Sequence, residues 1–381
     1  MSSTSTSLTI AVPTWNRAKN LDTLLSTITG QTDVQVIVQD HGSTDETSEV
    51  IKRYEKEYPF GRGVSVPRED HHDYSHAFRN LFLLPETEWT WTIGDDDILL
   101  SDAIKTIRPI LEKDNLEFIH VSEASRTRNS GALVKGNLLD LCNAVGWIEM
   151  TGFISGNITR TKWLKKAAAL ETWDQYAKGA FVQSCVLLEL LHSENCAFFD
   201  LPLIDAHVDD SITEQTNERW AQFNVPLRYH YIDEQVALLQ KKGAFTKVTP
   251  KFFRYLSYHL WDRFLQNIYN SYTSDQDFKV TDYLLDLLQR CLNLTKFLPD
   301  EDAKRYAGEI MEVKQQMIAH EASLAYAIGI ANKLGGLVDY HGRHQFDFQY
   351  LLASSAAMIQ AQPNGDGRPK KYVAVPPTPA T

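Results

Sequence analysis

Short apolar runs alternate with segments of helical periodicity over the first 125 or so residues, and that alternation leaves few folds open. Thr9–Val12 is an apolar run stopped by Pro13, and Val34–Val38 is a β-branched run that ends at Gln39 and Asp40. Gly63–Val66, Trp89–Ile93 and Leu116–Val121 repeat the pattern. Between them, Asn20–Ile28 sets Leu21, Leu24, Leu25 and Ile28 on one helical face, with Gly30 as its stop. Ser43 or Thr44 can cap a second helix through Val50, Ile51 and Tyr54, and Ala77–Leu84 reads as a third. Such an order predicts an α/β protein with parallel strands joined by right-handed crossovers. In such sheets ligands sit beyond the carboxyl ends of the strands. Pro13 to Arg17, Asp40 and Asp95 to Asp97 all fall at such ends, so three polar clusters share one rim.

The texture changes near Thr249. An aromatic-rich helical stripe runs from Phe252 to Tyr272, and Val280–Leu292 and Asp302–Leu334 continue as amphipathic helices, the last opening after Pro299-Asp300 and stopping at Gly335-Gly336. Packing on the α/β core is the first reading of the stripe, a homodimer interface the second, and peripheral membrane attachment the third. The expected organisation is a disordered N-terminus over residues 1–7, an α/β domain over 8–248, a helical domain over 249–362 and a disordered tail over 363–381. A net charge of −11 argues against a surface that coats itself in nucleic acid. The four cysteines have no metal-site or redox spacing and read as buried thiols of a cytoplasmic protein. No apolar run approaches the ~20 residues of a membrane span, so any contact with the inner membrane face would be peripheral.

Asp95, Asp96 and Asp97 carry the strongest chemical signal. Three adjacent carboxylates repel unless something cationic neutralises them. After an apolar strand they make an oxygen-rich site for a hard divalent ion, Mg²⁺ or Mn²⁺, that could bridge a nucleotide's phosphates. The plainer alternative is an acidic turn that caps the helix from Ser101. Asp40 can bond a base or ribose, or it can shape the Gly42 loop as an Asx-turn. Pro13, Thr14, Asn16 and Arg17 can orient a nucleotide, or form a strand-to-helix turn capped by Thr14 or Asn16.

The runs LTIAVPTWNRAKNLDTLL, VQVIVQDHGSTDET and WTWTIGDDDILL, at their spacing, resemble family-2 glycosyltransferases. That resemblance implies a GT-A fold: a Rossmann-like, mostly parallel sheet with flanking helices, here with a C-terminal α-helical domain appended. It implies a nucleoside-diphosphate sugar as donor and inverting single displacement. Pro13, Thr14, Asn16 and Arg17 would line the nucleotide pocket, and Asp40 would touch base or ribose. Asp95 would approach ribose or sugar, Asp97 would hold the metal, and Asp96 could substitute for either. Gly94 stands where the commonest family form has its first aspartate.

Thr151 to Asn157 and Arg160 resemble the family's small-residue strand below the acceptor cleft, and the family places a catalytic base soon after. Asp174 is the best-placed candidate, with Glu149, Asp209 and Asp210 as rivals. His207, after an apolar strand, is a minority candidate for the metal shell beside Asp95 and Asp97, while His71, His72 and His76 read as loop residues. The expected acceptor is a surface glycan or its lipid-linked precursor. Two alternatives are a viral-type enzyme acting on hydroxylated DNA bases, with Arg160, Lys162, Lys165 and Lys166 on phosphates, and an inactive sugar-nucleotide- or glycan-binding module.

Overall fold

The computed structural model describes residues 7–29, 34–58, 61–65, 74–123, 129–179, 181–206, 231–253 and 289–319. The chain divides into two compact units, Met1–Thr246 and Lys247–Thr381.

In the first unit, β1 (Leu8–Thr14) leads into α1 (Ala18–Thr29), and β2 (Gln35–Asp40) into α2 (Thr47–Glu57). β3 (Gly61–Ser65), α3 (Tyr74–Leu81) and β4 (Trp89–Thr92) follow, then the short β5 (Asp97–Leu99) and α4 (Ala103–Lys113). The chain continues through β6 (Phe118–Glu123), β7 (Leu133–Asn137), α5 (Leu138–Val145), α6 (Trp147–Thr151) and β8 (Asn157–Arg160). Three helices, α7 (Thr161–Ala168), α8 (Trp173–Ala177) and α9 (Val182–Leu191), precede β9 (Asn195–Ala206), and a last helix covers Ile232–Lys241.

Among the described residues nine strands form one sheet in the order β3-β2-β1-β4-β8-β6-β9-β5, with β7 also paired to β9. The half that carries the three polar clusters, β3-β2-β1-β4, is wholly parallel. β8 runs antiparallel to both β4 and β6, and β9 is parallel to β6 but antiparallel to β5 and β7. The carboxyl ends of β2, β1 and β4 therefore lie side by side.

The core explains why the alternation was readable. Leu21, Leu24, Leu25 and Ile28 of α1 are all buried against Ile10 and Val12 of β1 and Val36 and Val38 of β2. Each such side chain contributes about 2 kcal/mol by leaving water. Trp89 and Trp91 of β4 are fully buried in the same core, which locks the strand that delivers the aspartates.

Three local expectations need correction. Pro13 does not stop β1, which continues to Thr14. Neither Ser43 nor Thr44 caps α2. The Asp45 carboxylate does that work, accepting from Thr47 N at 3.1 Å and Thr47 Oγ1 at 2.5 Å, and it also holds Ala18 N at the start of α1 at 3.1 Å. Burial would raise the Asp45 pKa, but these bonds outweigh it and hold the carboxyl below its usual range. The third helix starts earlier than its periodicity suggested, at Tyr74.

In the second unit the described residues include a single turn at Pro250–Phe253 with Phe252 and Phe253 buried, and a helix over Asp300–Ala319 that opens on Asp300, Glu301 and Asp302. Negative charge in a first helical turn favours the helix dipole. The remainder of the aromatic stripe and the C-terminal tail lie outside the described residues.

Candidate functional site

Thr14 ends β1 and Asp95 follows β4, its parallel neighbour, and the two meet: Thr14 Oγ1 donates to Asp95 Oδ2 at 2.8 Å. The chain then turns at Asn16, whose φ of 50° is a left-handed conformation that Asn tolerates better than most residues. That turn puts Arg17 over the triplet, with one guanidinium nitrogen 2.9 Å from Asp95 Oδ1 and 2.6 Å from Asp96 Oδ2. Burial alone would lower the Arg17 pKa, but Asp95 and Asp96 more than compensate and hold the group firmly charged. The cation that three adjacent carboxylates require is thus partly built in.

Asn16 fastens this turn to the next loop, donating from its backbone N to Ser43 Oγ at 2.8 Å and accepting from Thr44 N at 2.6 Å through Oδ1. Ser43 in turn gives its N–H and hydroxyl to Asp40 Oδ1 at 3.0 and 2.5 Å. One oxygen of Asp40 therefore shapes the Gly42 turn. Thr14, Asn16, Arg17, Asp40 and Asp95 form one continuous bonded rim.

The aspartates differ in environment. Asp96 is the exposed member, with 43% of its side chain accessible. Asp95 is buried; burial raises its pKa most, Arg17 lowers it, and it comes out at about 6. Asp97, also buried, is pushed up to about 7 by burial first, then by Asp96, with Glu123 and Asp95 acting the same way against a hydrogen bond from Ser155. Ser155 Oγ donates to Asp97 Oδ2 and accepts from Gly94 N at 2.8 Å. A Cβ at Gly94 would stand 2.9 Å from Asp96 Oδ1 and 3.1 Å from Asp97 Oδ2, so a fourth carboxylate there would crowd the other two. None of the three aspartates caps the following helix: α4 begins after Asp102, with no side-chain capping bond.

Sequence reasoning did not connect Ser155 or Glu123 to the triplet. Ser155 lies inside the small-residue run assigned to the acceptor side. Glu123, buried at the end of β6, satisfies the same strand-end rule that found the others.

The acceptor-side candidates are separate from this bonded rim. Asp174 lies in the first turn of α8, 72% exposed, and ion-pairs with Arg79 of α3 at 3.2 Å. Glu149 on α6 folds over Gly146, where an added Cβ would come within 2.0 Å of its Oε2. His71, His72, His207, Asp209 and Asp210 lie outside the described residues. Among the described residues no group of three or more His, Cys, Asp or Glu is arranged to hold a metal ion. Two of the four cations in the basic patch are ion-paired: Arg160 with Glu88 and Glu117, and Lys162 with Glu117 at 2.8 Å. Burial pushes the Cys142, Cys185 and Cys196 thiols up, so they are unreactive core residues.

The sheet, with its parallel β3-β2-β1-β4 half, has a GT-A fold. TarS 1–349 of S. aureus is similar in fold, with a TM-score of 0.50 at 12% identity over 83% of this chain and 92% of that one. Residues 9–168 match the Glycosyl transferase family 2 model. An abequosyltransferase of Salmonella typhimurium is 27% identical over 112 residues, 28% of this chain. A validoxylamine A glucosyltransferase of Streptomyces hygroscopicus subsp. jinggangensis is 46% identical over 52 residues, 13% of this chain. The matches span 32% and 12% of those two relatives' own lengths. No helix among the described residues is long and apolar enough to cross a membrane.

Proposed function

We propose that this chain transfers a sugar from a nucleoside diphosphate to an acceptor hydroxyl, by single displacement with inversion. The observation that carries the reading is the Thr14–Asp95–Arg17–Asp96 cluster at the ends of adjacent parallel strands, with the buried Asp97 beside it. A carboxyl held at about 7 by burial and neighbouring carboxylates is a group whose ionised form awaits a cation. The S. aureus TarS structure in complex with UDP, TM-score 0.50, supports a nucleotide-dependent reading. Both sequence relatives bear the names of sugar transferases.

The donor set suits Mn²⁺ or Mg²⁺: Asp97 and Asp95 offer hard oxygens, with His207 as a third candidate, and such ions often take one or two protein carboxylates plus phosphate oxygens. A bound divalent ion would take up charge on the departing diphosphate. Arg17 balances Asp95 and Asp96, so the rim can accept an anionic donor without collapsing on itself. Asp40 and the backbone of Pro13 to Asn16 position base and ribose. Asp174, held by Arg79, receives the proton of the acceptor hydroxyl as its oxygen bonds to the anomeric carbon and the bond from that carbon to the diphosphate breaks.

A surface glycan or its lipid-linked precursor is the acceptor this reading favours. The DNA-base alternative loses ground because Glu88 and Glu117 occupy two of its four cations, Arg160 and Lys162. The test is a nucleotide-sugar panel scored by thermal stabilisation with and without Mn²⁺, followed by donor hydrolysis. Stabilisation by one donor, enhanced by Mn²⁺ and followed by its turnover, is expected. No stabilisation by any donor overturns the reading, and binding without turnover points to a sugar-nucleotide-binding module.

A further inference from the structure

Gln39 is the penultimate residue of β2 and is fully buried, yet neither its amide nitrogen nor its amide oxygen has a hydrogen-bond partner. Native proteins leave few buried polar atoms in that state, and each one asks for a reason. The same strand shows the ordinary solution. Gln35, four residues earlier and on the same side of the sheet, accepts at Oε1 from Thr9 Oγ1, its register partner on β1, at 2.9 Å. At Gln39 the register partners are Pro13 on β1 and Val64 on β3, and neither carries a polar side chain. Asp40, the next residue, alternates to the other side and is engaged by Ser43.

We propose that the Gln39 amide binds the nucleobase of the nucleoside diphosphate donor, an inference that rests on the donor site described above. Gln39 stands one residue inside the rim formed by Thr14, Asp40 and Ser65 at the ends of β1, β2 and β3. A primary amide offers a donor and an acceptor side by side. Its complement is a lactam or imide edge, an N–H beside a carbonyl, as uracil and guanine present. A phosphate offers only acceptors, would leave the amide oxygen unmet, and is drawn instead to charge.

The test is calorimetric titration of UDP, GDP and inorganic pyrophosphate into the full chain with Mn²⁺ present, for wild type, Gln39→Leu and Gln39→Met. Both variants keep the bulk and delete the amide. Each should bind the nucleoside diphosphate preferred by wild type about 10- to 100-fold more weakly, the usual effect of losing a buried amide pair. Pyrophosphate affinity should not change, and the ligand-free variants should melt no lower than wild type, since an unmet polar group has been removed. Unchanged nucleotide affinity would overturn the inference while leaving the donor site intact. So would an equal loss for pyrophosphate, or a lower melting temperature in both variants, because either would assign Gln39 to shaping the rim. If wild type binds no nucleoside diphosphate at all, the donor-site reading fails first and this inference with it.

Discussion

Replacing Asp97 with asparagine should stabilise the ligand-free protein, and the gain should depend on pH. In the folded chain burial, Asp96, Glu123 and Asp95 move the Asp97 carboxyl from 3.8 to about 7. At ~1.4 kcal/mol per decade of acidity constant, ionising it in the fold costs on the order of 4–5 kcal/mol more than in the unfolded chain. Local relaxation and water entry lower that figure, so ~2 kcal/mol is a fair expectation at pH 8. The sign follows from proton binding. Between about pH 4 and 7 the folded state holds more protons than the unfolded one, so wild-type stability falls as pH rises through that window. Asp95, at about 6, adds a smaller slope in the same direction. A carboxamide at this position cannot ionise and can still accept from Ser155, so Asp97→Asn removes the Asp97 part of the slope and keeps the contact. Urea denaturation in EDTA at pH 4, 6 and 8 reads it directly: near-equal stabilities at pH 4, a gain at pH 8, and no sugar transfer by the variant. A variant no more stable at pH 8, or equally more stable at pH 4, would refute the argument that a buried, destabilised charge resides there.

Arg17→Ala strips the built-in cation from Asp95 and Asp96 and should cost about 2–4 kcal/mol by thermal or urea melts. Adding Asp95→Asn should restore part of that loss, and strictly additive effects would deny the coupling. Asp45→Ala removes the acceptor at the starts of α1 and α2 and should cost roughly 1 kcal/mol, checked by the same melts, with the difference shrinking at acid pH as the carboxylate protonates. Nucleoside diphosphate binding by calorimetry should weaken in Asp40→Ala and persist in Asp174→Asn, whose loss should appear in transfer. Equal weakening in both would contradict the division between donor and acceptor sides.

Much of the fold was legible because its signals are local. The spacing of Leu21, Leu24, Leu25 and Ile28 and the β-branched run before Asp40 need no distant partner to declare helix and strand. Strand-end placement then gathered Thr14, Arg17, Asp40 and Asp95 to Asp97 on one rim, because parallel neighbours end together. The capping of α2 was misread because Ser43 and Thr44 are good caps in isolation, and only packing shows Ser43 already committed to Asp40 and Asn16.

What the chain's order determined by itself was the kind and sequence of its elements and the identity of the residues at the rim. Tertiary structure alone decided how those residues are charged and partnered. Arg17 reaches Asp95 across 78 residues and Ser155 reaches Asp97 across 58, and both contacts work against burial, which pushes the two carboxyls up. Gln35 and Gln39 look alike in the sequence, and only register shows one beside a threonine and the other between a proline and a valine. Periodicity reports what a segment does with its near neighbours. Acidity and hydrogen bonding depend on burial and on groups brought close from far along the chain, so they come into existence only when the sheet has closed.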